Sequence, residues 1–251
     1  MANKKTEYDL IFSIGEACSC TSALRAAYLQ IASYPFDWLF GSDFIGRCKI
    51  LSSEFARFIE KDDLEYVFSA RSISCDAYHN AYNGLTFNHD FLINKKLDET
   101  YSDVKAKYAR RIQRLLNNIK NAKRILIVYI ETPETGHIEV NDSTILEGYN
   151  IIKNKFKDKN IDLLYFHNSG KLHKIEKLSQ NLVKATMDYK SKNNDAEDYD
   201  VNQKVLKDFL TGYCSLKLPF GNVFFRTIKK LLINLIPSGK LRKKLRKKYH
   251  L

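Results

Sequence analysis

Residues 8–25, YDLIFSIGEACSCTSALR, decide how the rest of the chain is read. The apolar run over residues 8–13, rich in aromatic and β-branched side chains and stopped near Gly15, has the pattern of a buried strand. Residues 17–32, rich in Ala and with Leu24, Arg25 and Leu29, follow at once as a helix. Cys18 and Cys20 then sit at or near the helix N-terminus, where unpaired backbone N–H groups and the helix dipole favour an anion and lower a thiol pKa. That is a nucleophile's environment if the cysteine is exposed. The competing reading makes both thiols small apolar groups that pack a helix onto a sheet. Positions two apart on a helix differ by about 200°, so only one of the pair can face a catalytic partner, and Cys18, nearer the Gly15 turn, is the expected nucleophile.

Composition bounds the answer. The 251 residues are 44% hydrophobic and 28% charged, enough to bury the core of one α/β or α+β domain and unlike a disordered chain. Five cysteines (Cys18, Cys20, Cys48, Cys75, Cys214) form no regular framework, and MANKKTEYDL lacks the apolar segment of a secretory signal, so a reducing cytoplasm is expected. No second Cys/His pair stands at zinc-site spacing from Cys18 and Cys20, so no metal is expected. Residues 215–251 hold 11 of the 41 Lys and Arg and none of the 29 Asp and Glu, leaving 30 basic against 29 acidic residues in 1–214. The net charge of +12 therefore belongs to the tail, and the body is near neutral.

Further along, residues 42–58 place Phe44, Ile45, Cys48, Leu51, Phe55 and Phe58 at three- and four-residue spacing, an amphipathic helix covering one face of the core. Residues 64–73 have no clear period and fit loop or strand. Residues 77–79 and 85–91, on either side of Asn83-Gly84, read as a hairpin. Along its second strand Leu85, Phe87, His89 and Phe91 share a face, so His89 is expected to point with the apolar residues and Asp90 away from them. A helix over 102–121 precedes a strand over 124–130 that is apolar on both faces and ends at Glu131. A loop with Pro133 and Gly136 leads to a helix from Asp142 or Ser143 to about residue 157, then a strand over 161–167. After Gly170 the pattern weakens, with a polar loop over 190–199 and a short helix over 205–213.

In the tail, FGNVFFRTIKKLLINLI (220–236) sets Phe224, Ile228, Leu231, Leu232 and Leu235 on one face and Arg226, Lys229 and Lys230 on another. It is too short and too charged to span a bilayer. After Pro237-Ser238-Gly239, KLRKKLRKKYHL adds seven basic residues. An amphipathic helix with a polybasic segment makes two membrane-surface signals, so residues 220–251 are expected to meet an anionic membrane at the inner face of the cell membrane. The competing reading is a basic helix docked on the body. Nucleic acid is not expected, because few aromatic or base-reading groups lie among the charges.

Residues 33–40, SYPFDWLF, end the first helix before Pro35 and place the chain's single Trp after an Asp in a loop. Together with SIGEAC they resemble the opening of a family of bacterial proteins described as papain-like cysteine peptidases. The matching residues are Ser13, Gly15, Cys18, Leu24-Arg25 and Pro35 to Trp38; His89-Asp90-Phe91 matches a second motif, and residues 108–128 a looser helix and strand pair. The resemblance covers about residues 8–130 and implies a papain-like core with a central sheet flanked by helices and a Cys-then-His order. Similar papain-like proteins are associated with bacterial surface-polysaccharide synthesis, and some look like acyltransferases that use coenzyme A.

The expected division is a papain-like domain over 1–214 and a basic amphipathic tail over 215–251. The expected chemistry is attack of a Cys18 thiolate on a carbonyl, with His89 handling the proton, a thioester intermediate, and backbone N–H groups at the helix start stabilising the oxyanion. Glu131, at the end of a buried strand, is the expected third catalytic group. Ser13, Gly15, Asp37 and Trp38 are the expected substrate-binding residues, Asp37 also accepting hydrogen bonds from backbone N–H groups or Arg25. Water as second acceptor gives a hydrolase, and a hydroxyl or amine gives an acyltransferase. No tightly bound cofactor is expected; a coenzyme A thioester fits as acyl donor and a carbohydrate or acyl group as substrate. The alternative is a non-catalytic, membrane-docked partner of glycan-synthesis enzymes with a structural Cys18.

Overall fold

The opening apolar run folds as two short strands, β1 (Thr6–Tyr8) and β2 (Leu10–Ser13), because Asp9 leaves the ladder and its carboxylate accepts from the Lys123 and Arg124 N–H groups. The computed structural model describes residues 5–70, 73–132, 140–169, 173–190, 202–218, 228, 231–242 and 245. β2 is the edge of a five-stranded sheet of order β2-β7-β8-β10-β9, with β7 (Arg124–Ile130), β8 (Asn160–Asn168), β9 (Lys174–Ser179) and β10 (Leu182–Met187). All its strands are parallel except β9. Parallel strands covered on both faces need apolar residues on both, and RILIVYI in β7 supplies them. Ile125, Ile127 and Tyr129 face α2 (Phe44–Ser52), α3 (Leu97–Asn121) and α4 (Asp142–Lys155), while Leu126, Val128 and Ile130 face α1 (Ser19–Ala26) and α5 (Gln203–Tyr213).

A second, antiparallel sheet of order β3-β6-β5-β4 joins β3 (Leu39–Gly41), β6 (Leu85–Leu92), β5 (Cys75–Asn80) and β4 (Leu64–Ala70). The architecture is α/β, a central sheet flanked by helices, as the strand and helix patterns predict. Residues 64–70 resolve as a strand, and the weak pattern after Gly170 hides the β9–β10 hairpin. Its edge strand β9 is largely exposed and carries little apolar signal. Strand β11 (Cys214–Leu216) pairs in parallel with β1, and Lys217 N–H donates to the Tyr8 carbonyl at 2.8 Å, so the body continues past the expected boundary at 214.

Two helices end early for the same reason. α1 stops at Ala26 rather than Ala32, since Tyr28 takes a left-handed φ of 59° and the Tyr28 and Leu29 N–H groups close onto the Arg25 and Leu24 carbonyls. α2 stops at Ser52 rather than Phe58, with Glu54 at φ 55° and the Glu54 and Phe55 N–H groups closing onto the Leu51 and Ile50 carbonyls. α3 starts at Leu97, five residues earlier than expected, where the Glu99 carboxylate accepts from the Lys96 N–H at 2.8 Å.

The loop with Pro133 and Gly136, the polar loop beyond residue 190 and most of the tail lie outside the described residues. Among the described tail residues, 231–234 are helical, with Ile233 buried and Leu231, Leu232 and Leu235 exposed. No helix among the described residues is long and apolar enough to cross a membrane.

Candidate active site

Where β2 ends, the chain is held tightly enough that its side chains have little choice. Ile14 N–H donates to the Val128 carbonyl at 3.0 Å and keeps the chain on β7. A Cβ on Gly15 would lie 2.7 Å from Cys20 Cβ and 2.9 Å from the Ile130 nitrogen, so only glycine fits. Ala17 takes a left-handed φ of 53° and donates its N–H to the Leu39 carbonyl at 2.9 Å, and Cys18 then N-caps α1. From α2 the fully buried Arg47 reaches across and donates to the Ile14, Gly15, Leu39, Gly41 and Ser42 carbonyls. Buried Glu16 accepts from the Tyr129 hydroxyl at 3.1 Å and the Thr132 hydroxyl at 3.3 Å, and its charge opposes the lowering of the Arg47 pKa by burial.

This turn presents the half-buried Cys18 to β6, where Cys18 Sγ lies 3.9 Å from His89 Nε2. Cys20 points the other way, donating to the Val128 carbonyl at 3.5 Å. Burial pushes its thiol up to about 12, so it stays protonated near neutral pH. The two cysteines thus divide as the helix rotation requires.

His89 reaches the thiol by a route other than strand alternation. In the pairing of β5 with β6, Tyr78 faces Phe87 and Asp76 faces Phe91, so residues 88–90 bulge opposite Ala77 alone. Phe87 and Phe91 stay buried, His89 is exposed rather than sharing their face, and Asp90 turns onto α3, bonded to Lys107 and, at 2.8 Å, to the Tyr108 hydroxyl. Bulges re-aim side chains next to sites in this way. Asp90 is occupied by α3 and does not orient His89.

Other expected site residues are placed differently. Glu131 accepts from Tyr165 at 2.6 Å, from the Asn168 N–H at 3.2 Å and pairs with His167 Nδ1 at 2.8 Å; it is engaged with β8 and not with His89. Ser13 is fully buried, its hydroxyl accepting from the Gly15 N–H at 3.0 Å, and Gly15 is buried between Cys20 and β7, so neither can touch a substrate. Asp37 is likewise buried and accepts from Thr21, Gln30, Arg25 and the Tyr34 N–H, which makes it a brace of the loop rather than a binding group. Burial raises its carboxyl pKa, and the Tyr34, Gln30, Thr21 and Arg25 donors pull the other way. Trp38 is half-buried at a left-handed φ of 73° with the Arg25 guanidinium 5.4 Å over its ring, and it alone of these four is partly open to solvent.

Sequence reasoning missed Arg47, although a charged residue three after Phe44 and four before Leu51 lies on the apolar stripe and signals a buried, fully bonded cation. It also missed the His167 pairing, because that depends on β7 and β8 being neighbours in register, Ile130 opposite Phe166. Among the described residues no three His, Cys, Asp or Glu side chains are grouped to hold a metal.

The Cys18 thiol at the strand-to-helix turn thus lies 3.9 Å from the His89 imidazole on β6. The model of the family described as "Putative papain-like cysteine peptidase" matches residues 9–167, and the chain belongs to that family. No curated protein and no solved structure matches the chain.

Proposed function

We propose that the protein is a thiol-dependent acyl-transfer enzyme in which Cys18 is the nucleophile and His89 its base. The observation that carries this is the 3.9 Å approach of Cys18 Sγ to His89 Nε2 at the first turn of α1, a loose contact of the kind found in unliganded sites. Cys18 passes its proton to His89 Nε2 and its sulfur attacks the acyl carbon. The backbone N–H groups of the first turn of α1 support the oxyanion, His89 returns the proton to the leaving group, and a thioester remains on Cys18. Transfer to water makes a peptidase-like hydrolase; transfer to a hydroxyl makes an acyltransferase. We favour transfer from a coenzyme A thioester to a membrane-attached carbohydrate at the inner face of the cell membrane, as in surface-polysaccharide synthesis. The basic residues of 215–251 and the exposed Leu231, Leu232 and Leu235 support a membrane-surface role.

The test is intact mass and peptide mapping after incubation with acetyl coenzyme A, and with p-nitrophenyl acetate. An acetyl group is expected on Cys18 and on none of Cys20, Cys48 or Cys214, with its formation slowed about 100-fold or more in His89→Ala. Labelling of Cys18 no faster than that of an unfolded-chain thiol would leave the alternative, a non-catalytic membrane-docked partner with a structural Cys18, standing instead.

A further inference from the structure

The charge on α3 is unbalanced along its length. Residues 104–121 hold six Lys and Arg and no Asp or Glu, in a body that is otherwise near neutral. Lys105 and Lys107 have carboxylate partners, Glu60 and Asp90. Arg111 and Arg114, one turn apart on the helix, have none among the described residues. The Arg111 guanidinium lies 5.2 Å over the Tyr108 ring, and the exposed Arg114 donates through Nη1 to the Ser33 carbonyl at 2.8 Å. A further guanidinium meets them there: Arg25 Nη2 donates to the Ser33 hydroxyl at 2.8 Å and to the Asp37 carboxylate at 3.4 Å. Arg25 Nε is buried without a hydrogen-bond partner, and its Nη1 makes no hydrogen bond among the described residues. Two guanidiniums thus converge on one residue, Ser33, and Asp37 is the one carboxylate bonded to either. Forked cations held close together with donors to spare suit a phosphate, which offers oxygens to more than one guanidinium at once.

This cationic shelf is tied to the Cys18–His89 contact at both ends. Cys18 and Arg25 are seven residues apart, within about 20° of two full turns and about 10 Å of rise, so the guanidinium stands on the thiol's face of α1. The half-buried Trp38, over whose ring Arg25 lies at 5.4 Å, precedes Leu39, whose carbonyl accepts the Ala17 N–H at 2.9 Å. At the other end Lys107 and the Tyr108 hydroxyl bond Asp90, the residue after His89. A substrate with its acyl carbon at Cys18 therefore brings a group about 10 Å away onto the arginines.

We propose that Arg25, Arg111 and Arg114 bind a phosphate group of the substrate, whose part in the reaction rests on the acyl-transfer reading above. The phosphate belongs either to the acyl donor, as in a coenzyme A thioester, or to the acceptor, as in a phosphate-linked sugar. The recognition chemistry is the same for both, and the experiment separates them.

The test is isothermal titration of the full chain with inorganic pyrophosphate. Arg111→Gln/Arg114→Gln is expected to weaken binding about 10- to 100-fold, as loss of charge-assisted hydrogen bonds does, whereas Lys49→Gln/Lys157→Gln, which removes the same charge at exposed positions elsewhere, binds as the parent chain does. No binding by the parent, equal binding by the arginine variant, or an equal loss in the lysine variant makes the arginines a solvated helix face and overturns the proposal. Should the double variant not fold, Arg114→Gln, at an exposed position, decides on the same terms. Donor and acceptor are separated by the rate of Cys18 acetylation with acetyl coenzyme A and with S-acetylpantetheine, which carries the same thioester without phosphate. A preference of about 10-fold for acetyl coenzyme A that the arginine variant loses assigns the shelf to the donor, and arginine-dependent pyrophosphate binding without that preference assigns it to the acceptor. A Cys18 that takes acetyl from neither compound overturns the acyl-transfer reading, while arginine-dependent pyrophosphate binding still upholds the shelf.

Discussion

Asp37 shows how a single carboxylate can govern a thiol it does not touch. Thr21, Gln30, Arg25 and the Tyr34 backbone converge on it, and the loop they fix holds Trp38 in a left-handed conformation and leads directly to Leu39. The Leu39 carbonyl in turn accepts the Ala17 N–H, one residue before Cys18. Asp37→Ala would leave the buried Thr21 hydroxyl and Tyr34 N–H without this acceptor and the Gln30 amide with the Ala32 carbonyl alone, at roughly 1–3 kcal/mol for each unsatisfied group. The expected outcome is a loss of about 3 kcal/mol in urea unfolding together with slower iodoacetamide reaction at Cys18 in protein that remains folded. Stability lost with Cys18 reactivity unchanged would confine Asp37 to a purely structural part. Asp37→Asn, which keeps one acceptor oxygen, should fall between the two.

Among the elements, α2 does more than cover the sheet. Its Arg47 ties the β2–α1 turn, β3 and the start of α2 together through five carbonyls, so the helix carries the clamp that sets where Cys18 stands. Arg47→Leu fits the apolar stripe but strands those carbonyls and the buried Glu16 charge, and a loss of about 4 kcal/mol or more is expected, read as a fall in the urea midpoint and in soluble yield. A loss below about 1 kcal/mol would mean that water replaces the guanidinium. Arg47 also marks where the sequence was legible and where it was not. β7 and β8 announce themselves as continuous apolar runs, the β5–β6 hairpin by Asn83-Gly84, and Cys18 by the glycine turn before a helix. The ends of α1 and α2 do not, because the left-handed closing position that glycine usually fills is taken by Tyr28 and Glu54. The bulge at residues 88–90 is invisible too, since register is a property of two strands at once. His89 therefore stands where the motif match put it, although the alternation argument for its direction fails.

On the scale of the whole molecule, the near-neutral body and the basic tail meet at β11, which belongs to the body by its pairing with β1. A truncation after Cys214 would remove most of that strand, whereas one after Lys217 keeps the ladder and the Lys217 to Tyr8 bond. Ten Lys and Arg follow Lys217, with no acidic residue to offset them, and Leu231, Leu232, Leu235 and Leu241 are exposed. Exposed leucines beside uncompensated cations suit a surface that is apolar just beneath a layer of anions, where each basic residue contributes about 1 kcal/mol. The full chain is expected to sediment with phosphatidylserine vesicles and to be released by raised salt as the Debye length shortens. The chain ending at Lys217 should unfold cooperatively, with a midpoint lowered only by the lost packing of Ile233, and stay in the supernatant. Equal vesicle binding by the two chains would place the membrane contact on the body. A truncated chain that fails to fold would make residues 218–251 part of the core, and the exposed leucines would then belong to a helix docked on the body.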